Sequence, residues 1–282
     1  MNKQNFSEPS KIPVSEQLLL NTVRITTEFG LEKKGHGTGF LYRFLETEQN
    51  NIPCLVTNKH VIKGASKIEL SYRLINDAGV PIEGSPHTVY LENTASFVNH
   101  PDENVDLCIL PIASILKVGQ EDKSAPRPFF IVMGDTVLPK PDEWARYMAL
   151  DDVVMIGYPD GLWDSSNNLP IARKGIISTL PKYDYCGKHC FLVDMACLKG
   201  SSGSPVFLFD KTYHVHDDGK IHIKPKIKLL GVLSEGPEYE VYNEFQDVNS
   251  AFKIPILNLG VVIKSDKLKD FEPILDEMRN RK

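Results

Sequence analysis

The sequence predicts an all-β protein built from two antiparallel barrels and a C-terminal α-helix. Short runs that alternate apolar and polar residues form two groups, such as NTVRITTEF and IPCLVTN early in the chain and DDVVMIGYP and SPVFLFD later. The more polar stretch 117–145 separates the groups, so we expect one barrel at 14–118 and a second barrel, with the terminal helix, at 119–282. Apolar residues near the C-terminus recur at helical spacing: Leu268, Phe271, Ile274, Leu275 and Met278. Pro273 interrupts this pattern, so a separate turn is expected before the last helix.

Composition and charge exclude several function classes. The 282 residues carry a formal net charge of -5, with a sequence pI near 5.9, which argues against a nucleic-acid-binding scaffold because such scaffolds are usually basic. No apolar run reaches the roughly 18 residues that span a bilayer. The N-terminus lacks the apolar core of a signal peptide. We therefore expect a cytoplasmic protein that binds neither nucleic acid nor membrane.

The five cysteines are expected to be reduced, because an odd number without a secretion signal argues against a disulfide framework. Cys186 and Cys190 flank the sequence GKH at a predicted hairpin tip, and with His189 they leave metal binding or oxidation open. A zinc site needs a fourth ligand that the sequence does not supply. We expect no metal and no cofactor.

Three segments carry the residues of nucleophilic catalysis. His60 follows an apolar strand in LVTNKHVIKGA, Asp106 begins the strand VDLCILPI, and Ser202 lies in the glycine-rich turn of KGSSGSPVFLF. A serine hydroxyl needs a base to remove its proton, and neutral imidazole is the usual base near neutral pH. A carboxylate on the other ring nitrogen fixes the tautomer. The amides of Gly200 and Ser202, in a tight turn, are candidates for an oxyanion hole.

Each of these assignments has competitors nearby. His36 is an alternative histidine, but it is expected at a surface or cleft edge. Asp102 and Glu103 lie in a polar loop, where charges are usually solvated. The other candidate nucleophiles surround Ser202 in the sequence: Ser201, Ser204 and Cys197. The glycine frame around Ser202 favours it, and Cys197 is expected to pack in a pocket wall.

These segments resemble the trypsin-like, chymotrypsin-fold serine proteases, especially the bacterial Deg/HtrA group. The resemblance rests on three motifs in the order His, Asp, Ser: Thr57-Asn58-Lys59-His60-Val61, Asp106-Leu107-Cys108-Ile109-Leu110 and Gly200-Ser201-Ser202-Gly203-Ser204-Pro205. Supporting segments include Gly37-Thr38-Gly39-Phe40 and Ile156-Gly157-Tyr158-Pro159. The resemblance implies two six-stranded barrels, with His60 and Asp106 from the first and Ser202 from the second.

The resemblance also implies where the substrate side chain binds. The pocket would be lined by Ala196, Cys197, Lys199, Ser234 and Gly236, with a third wall near Gly260. Small uncharged residues there suggest a preference for a small or medium apolar side chain, although Glu235 leaves an acidic pocket open. The chain departs from the family in two respects. Ser201 stands where digestive proteases have an aspartate, so no zymogen cleavage is expected, and no PDZ-like domain is expected after residue 265.

The sequence therefore predicts a serine endopeptidase that acts through an acyl-enzyme on Ser202 and is regulated by a protein partner. The alternative is a trypsin-fold binding module that is catalytically silent or only conditionally active. A flipped Lys199–Gly200 peptide plane would collapse the oxyanion hole. Its presence in a structure would indicate the conditionally active form and not a constitutively active enzyme.

Overall fold

A computed structural model of the chain describes most of its residues. These are 12–30, 33–75, 82, 87–116, 127–210, 214–215, 221–222, 226–234, 236, 238–242, 251–255 and 258–281. The predicted linker at 117–126 and the open candidate Glu235 lie outside them.

The first half of the chain forms one antiparallel sheet, here called the N-terminal sheet. Its eight strands are β1 (Thr22–Phe29), β2 (Lys33–Phe44), β3 (Ile52–Thr57), β4 (Lys67–Ile75), β5 (His87–Leu91), β6 (Val98–Asn99), β7 (Cys108–Pro111) and β8 (Arg127–Phe129). They pair in the order β5-β4-β1-β2-β3-β7-β6, and β8 pairs with β4. Among the described residues this path has two ends, at β5 and β6, so the predicted closure into a first barrel is not confirmed.

The second half forms a closed antiparallel barrel, here called the C-terminal barrel. Its six strands are β9 (Asp152–Gly157), β10 (Ile171–Ile177), β11 (Cys190–Asp194), β12 (Pro205–Asp210), β15 (Lys226–Leu233) and β18 (Leu259–Lys264). They pair in the order β10-β11-β18-β15-β12-β9, which confirms the prediction of a six-stranded barrel for this half. Two further pairs of strands lie among the described residues: β13 (His214–Val215) with β14 (Ile221–His222), and β16 (Glu238–Tyr242) with β17 (Ala251–Pro255).

The described helices are short, and the longest of them lies near the C-terminus, where a helix was predicted. They are α1 (Val14–Leu20), α2 (Lys59–Ile62), α3 (Ala113–Leu116) and α4 (Glu272–Asn280). A 3-10 helix at Ser265–Phe271 immediately precedes α4. Pro273 lies in the first turn of α4, where its missing N–H has no intrahelical partner to lose. Other 3-10 turns are Asp135–Val137, Pro141–Arg146 and Pro159–Gly161.

Four apolar clusters hold the described elements together, the smallest of them around Leu20 and Phe129. One fills the N-terminal sheet around Ile25 and Leu55, and one fills the C-terminal barrel around Phe191 and Val206. The third lies where the halves meet and takes its buried side chains from both sheets and from α4: they include Phe40, Phe44, Ile156, Phe207, Phe271 and Leu275. Burial of this shared cluster fixes the two halves against each other, because apolar area removed from water is the main stabilising contribution.

The chain returns to the N-terminal sheet after the expected domain boundary. Strand β8 pairs with residues 73–75 of β4, and the backbone of Met133 exchanges hydrogen bonds with Leu41 and Arg43 of β2. The boundary between residues 118 and 119 stays a prediction.

Candidate active site

His60 lies directly after β3, in the short helix α2. Its backbone N–H donates to Asp106 Oδ1 at 3.1 Å, and its ring Nδ1 lies 2.6 Å from Asp106 Oδ2. The buried side chain of Asn58 donates to the Asp106 carbonyl at 2.7 Å, which fixes the two loops together. Because a carboxylate only accepts hydrogen bonds, Nδ1 carries a proton, and in the neutral form of the ring Nε2 then has a lone pair.

Asp106 immediately precedes β7 and accepts a third hydrogen bond, from Ser234 Oγ to Oδ2 at 2.9 Å. Burial by itself would raise the pKa of Asp106. The hydrogen bond and charge of His60, the bond from Ser234 and the His60 backbone N–H outweigh burial, so the pKa of Asp106 lies below its ordinary value. The carboxylate is therefore ionised near neutral pH. Sequence reasoning placed Ser234 in a substrate pocket and missed this contact.

Ser202 lies in the turn that leads into β12. The N–H of Gly203 donates to the Leu233 carbonyl at 2.8 Å, and the N–H of Leu233 donates to the Ser204 carbonyl at 2.9 Å. These bonds hold the turn beside the end of β15, next to Ser234 and hence beside the Asp106–His60 pair. Ser202 is partly exposed, and its hydroxyl has no hydrogen bond to His60 or to any other residue in the described part of the chain. The hydrogen bond between a nucleophile and its base is often long or poorly aligned until substrate binds.

Thr38 of β2 connects the N-terminal sheet to this turn. Its N–H donates to the Ser202 carbonyl at 2.9 Å, and its hydroxyl donates to the Gly200 carbonyl at 2.9 Å. The hydroxyl of Thr57, three residues before His60, donates to the Thr38 carbonyl at 2.7 Å. The segment Gly37-Thr38-Gly39-Phe40 was recognised as a family mark, but its alternation alone could not show that Thr38 reaches residues more than 160 positions away.

One hydrogen bond fixes the orientation of the Lys199–Gly200 peptide. The Lys199 carbonyl accepts a hydrogen bond of 2.5 Å from the Asp160 N–H. Since the C=O and N–H of a trans peptide point in opposite directions, the Gly200 N–H faces away from Asp160. Gly200 adopts φ +81°, and a Cβ there would lie 2.6 Å from the Tyr158 carbonyl. In the described part of the chain, the N–H groups of Gly200 and Ser202 have no acceptor.

The remaining predicted pocket residues differ in their exposure. Ala196 and Lys199 are exposed, Gly236 is partly exposed and Cys197 is buried. A Cβ on Gly260 would lie 2.5 Å from Cys197 Sγ, so the two residues pack closely. Burial raises the pKa of the Cys197 thiol to about 11. The thiol is therefore protonated near neutral pH and does not compete with Ser202 as a nucleophile.

The other competitors have different partners. Asp102 Oδ1 accepts a hydrogen bond from the Asn104 N–H, and Ser201 Oγ accepts one from Arg173. Ser204 Oγ is buried without a partner in the described chain.

The alternative histidine, His36, lies against Gly161, about 3 Å from where a Cβ on that glycine would be. Burial lowers the pKa of His36, with a further contribution from the charge of Arg24.

At the predicted hairpin tip, Cys186 is exposed and Cys190 is buried, and both are free thiols. His189 lies between Asp184, at 3.1 Å, and Asp266, at 2.8 Å. No cluster of three or more His, Cys, Asp or Glu side chains suited to a metal ion occurs in the described ranges.

None of the described helices has the length and apolar character needed to cross a bilayer.

Residues 37–213 match the family model described as the trypsin-like peptidase domain, and the chain belongs to that family. Membership supports a serine protease, whose substrate is a protein. The match covers His60, Asp106 and Ser202 together with most of the turns that contact them.

Two solved structures illustrate the similarity. The active form of the Rv3671c protease from M. tuberculosis shares 16% identity, covering 91% of this chain and 81% of that chain, with a TM-score of 0.44. The serine endoprotease from Yersinia pestis shares 16% identity, covering 94% of this chain and 68% of that chain, with a TM-score of 0.43. No curated protein matches the chain. The family assignment therefore depends on the family model and not on these structures.

Proposed function

We propose that this protein is a serine endopeptidase that hydrolyses peptide bonds through an acyl-enzyme on Ser202. The observation that carries the proposal is the 2.6 Å hydrogen bond between His60 Nδ1 and Asp106 Oδ2. It commits the Nδ1 proton to the carboxylate and leaves Nε2 as a base. The proposal also places the protein in the cytosol under the control of a protein partner.

In the proposed reaction, His60 Nε2 takes the proton of Ser202 Oγ as that oxygen attacks the scissile carbonyl. The N–H groups of Gly200 and Ser202 stabilise the resulting oxyanion. The imidazolium, stabilised by Asp106, then gives its proton to the leaving amine, and the acyl group remains on Ser202 as an ester. Water, deprotonated by His60, attacks the ester, and return of the proton to Ser202 releases the acid.

The orientation of the Lys199–Gly200 peptide supports an enzyme over a silent binding module. A reversed peptide would aim the Lys199 carbonyl into the hole and repel the oxyanion. Here that carbonyl is held by the Asp160 N–H. Each lost oxyanion-hole donor typically costs about 3–4 kcal/mol of transition-state stabilisation, so this orientation supports turnover in the free chain.

For substrate binding, we propose Ala196, Cys197, Lys199, Ser234 and Gly236 as the walls of the pocket before the scissile bond. The close packing of Cys197, Gly260 and Leu233 supports an apolar wall. We expect small or medium apolar side chains to be preferred. Cleavage profiling of a peptide library is the measurement, and a strong preference for Arg or Lys would contradict it.

A fluorophosphonate probe tests the nucleophile, because labelling needs both an activated serine and an oxyanion hole. The native protein and Ser204→Ala, two residues further along the same turn, should be labelled and hydrolyse peptides. Ser202→Ala should do neither. Labelling that persists in Ser202→Ala would refute the nucleophile, and an unlabelled native protein would refute turnover in the free chain.

The cytosolic and partner proposals need separate measurements. Ser202→Ala, used as a substrate trap in pull-downs, should retain proteins that the native enzyme cleaves. Fractionation of the source cells should recover the protein with cytosolic markers. Recovery in a secreted or membrane fraction would contradict the location.

A further inference from the structure

Arg173 of β10 contacts both ends of the segment that precedes Ser202. Its Nη1 donates to the Ala196 carbonyl at 2.5 Å, and its Nη2 donates to Ser201 Oγ at 2.9 Å. Ser201 is fully buried, and its N–H donates to the Leu198 carbonyl at 3.1 Å. One guanidinium thus bridges the first and last residues of segment 196–201, here called the pre-nucleophile segment.

The charge of Arg173 has no carboxylate partner within ion-pair distance among the described residues. Burial lowers the pKa of the guanidinium, against smaller opposing influences from Cys197 and Asp160. A partly buried cation without an ion pair is unfavourable unless hydrogen bonds replace its water. The two bonds to Ala196 and Ser201 provide that replacement, so the contact is mutual: the segment stabilises the charge, and the charge fixes the segment.

Besides the packing of Cys197 against Gly260, the pre-nucleophile segment has few other hydrogen bonds to the rest of the described chain. The Lys199 carbonyl accepts from Asp160, and the Gly200 carbonyl accepts from Thr38. Both attachments act on the distal part of the segment. Arg173 fixes the Ala196 end of the segment and the side chain of Ser201. Ser201 immediately precedes Ser202 in the chain, so its position determines that of the Ser202 N–H.

We propose that Arg173 is a positioning residue that holds the pre-nucleophile segment so that the Gly200 and Ser202 amides stay directed at the scissile carbonyl. This inference rests on the proposed function. A small displacement of such donors strongly reduces transition-state stabilisation while leaving ground-state binding largely intact.

A direct role in binding an acidic substrate side chain is the competing interpretation. Two observations argue against it. Both terminal nitrogens of Arg173 are directed at groups of its own chain, and its Nε is buried without a partner in the described part of the chain. The guanidinium therefore donates its hydrogen bonds to its own chain and not to a substrate side chain.

The test compares Arg173→Met, Arg173→Lys and Ser201→Ala with a control in the same strand. The control is Lys174→Met, which removes an exposed lysine paired with Asp152 at 2.8 Å. We expect Arg173→Met to lower kcat by about 100-fold, near the effect of losing one oxyanion-hole donor, with KM changing less than about 3-fold. Arg173→Lys should recover part of kcat, and Ser201→Ala should lose less than Arg173→Met. Lys174→Met should behave like the native protein.

A second measurement does not depend on activity. Hydrogen exchange of peptides that span residues 196–204 should become faster in Arg173→Met and stay unchanged in Lys174→Met, with the rest of the barrel protected as in the native protein. Adding guanidinium ion at millimolar concentration to Arg173→Ala should restore part of kcat and slow this exchange, because the ion replaces the missing donors.

The outcomes separate the two proposals. Unchanged kcat and unchanged exchange in Arg173→Met would overturn the positioning role. A loss confined to KM for acidic substrates would overturn it in favour of substrate binding. A native protein that is neither labelled nor active would refute the proposed function, and the exchange of residues 196–204 would still decide whether Arg173 holds the segment.

Discussion

The Thr38 hydroxyl donates a 2.9 Å hydrogen bond to the Gly200 carbonyl, and it accepts one of 3.1 Å from the Tyr158 N–H. Thr38 is fully buried and belongs to the N-terminal sheet, whereas Gly200 and Tyr158 belong to two turns of the C-terminal barrel. One hydroxyl therefore sets the spacing between the turn that carries Ser202 and the turn that holds the Lys199 carbonyl.

Replacing this hydroxyl should destabilise the protein and reduce catalysis. Thr38→Val leaves the Gly200 carbonyl and the Tyr158 N–H without their partner, at a cost of about 1–3 kcal/mol for each buried group. Urea unfolding and peptide hydrolysis are the measurements. Thr38→Ser, which keeps the hydroxyl, should lie close to the native protein, and Thr136→Val, at an exposed position, should have no effect. Equal stability of Thr38→Val and Thr136→Val would contradict the role of Thr38.

Gly203 should tolerate no side chain, for two separable reasons. Its φ is +86°, and a Cβ would lie 1.9 Å from the Thr38 carbonyl and 2.5 Å from Thr57 Oγ1. Gly64 offers a matched control because it has φ +75° with open space around it. Gly64→Ala should cost only the backbone strain, about 1–2 kcal/mol. Gly203→Ala should cost clearly more and should abolish probe labelling, because the clash displaces the turn of Ser202. Similar unfolding midpoints for the two variants would show that the clash is relieved without displacement.

Asp106 should link stability to pH in the acid range. Its folded-state pKa is depressed, so the ionised carboxylate stabilises the fold above its ordinary pKa of about 4, and this contribution is lost as the pH falls through the depressed value. The difference in unfolding free energy between native protein and Asp106→Asn should therefore be largest near neutral pH and shrink below about pH 4. Hydrolysis by Asp106→Asn should fall about 10⁴-fold, as in the serine triad template.

Urea unfolding of both proteins at a series of pH values checks this dependence. Thr136→Val is the control, since it changes an exposed position without removing a titratable group, and its difference from the native protein should not change with pH. A pH-independent difference for Asp106→Asn would mean that the contacts from His60 and Ser234 do not stabilise the charge.

The local patterns of the sequence were enough to predict the main elements. Alternation in DDVVMIGYP and SPVFLFD predicted strands that became β9 and β12 of the closed barrel. Helical spacing in the last residues predicted α4, and Pro273 predicted the separate turn before it. Alternation could not decide whether the N-terminal strands close into a barrel, a prediction that is not confirmed, since alternation shows which face of a strand is buried and not which strand it pairs with.

For the candidate site, sequence by itself determined the residue types: an imidazole after one strand, a carboxylate before another and a serine framed by glycines, in an order that identified the family. Tertiary structure alone decided the contacts among them. Ser234 lies 128 positions from the aspartate it bonds, Thr38 lies 162 positions from Gly200, and Arg173 lies 28 positions from Ser201. Such contacts depend on how two packed sheets bring distant turns together, and burial of the shared apolar cluster fixes that arrangement, whereas local sequence patterns report only on neighbours within a strand or a turn.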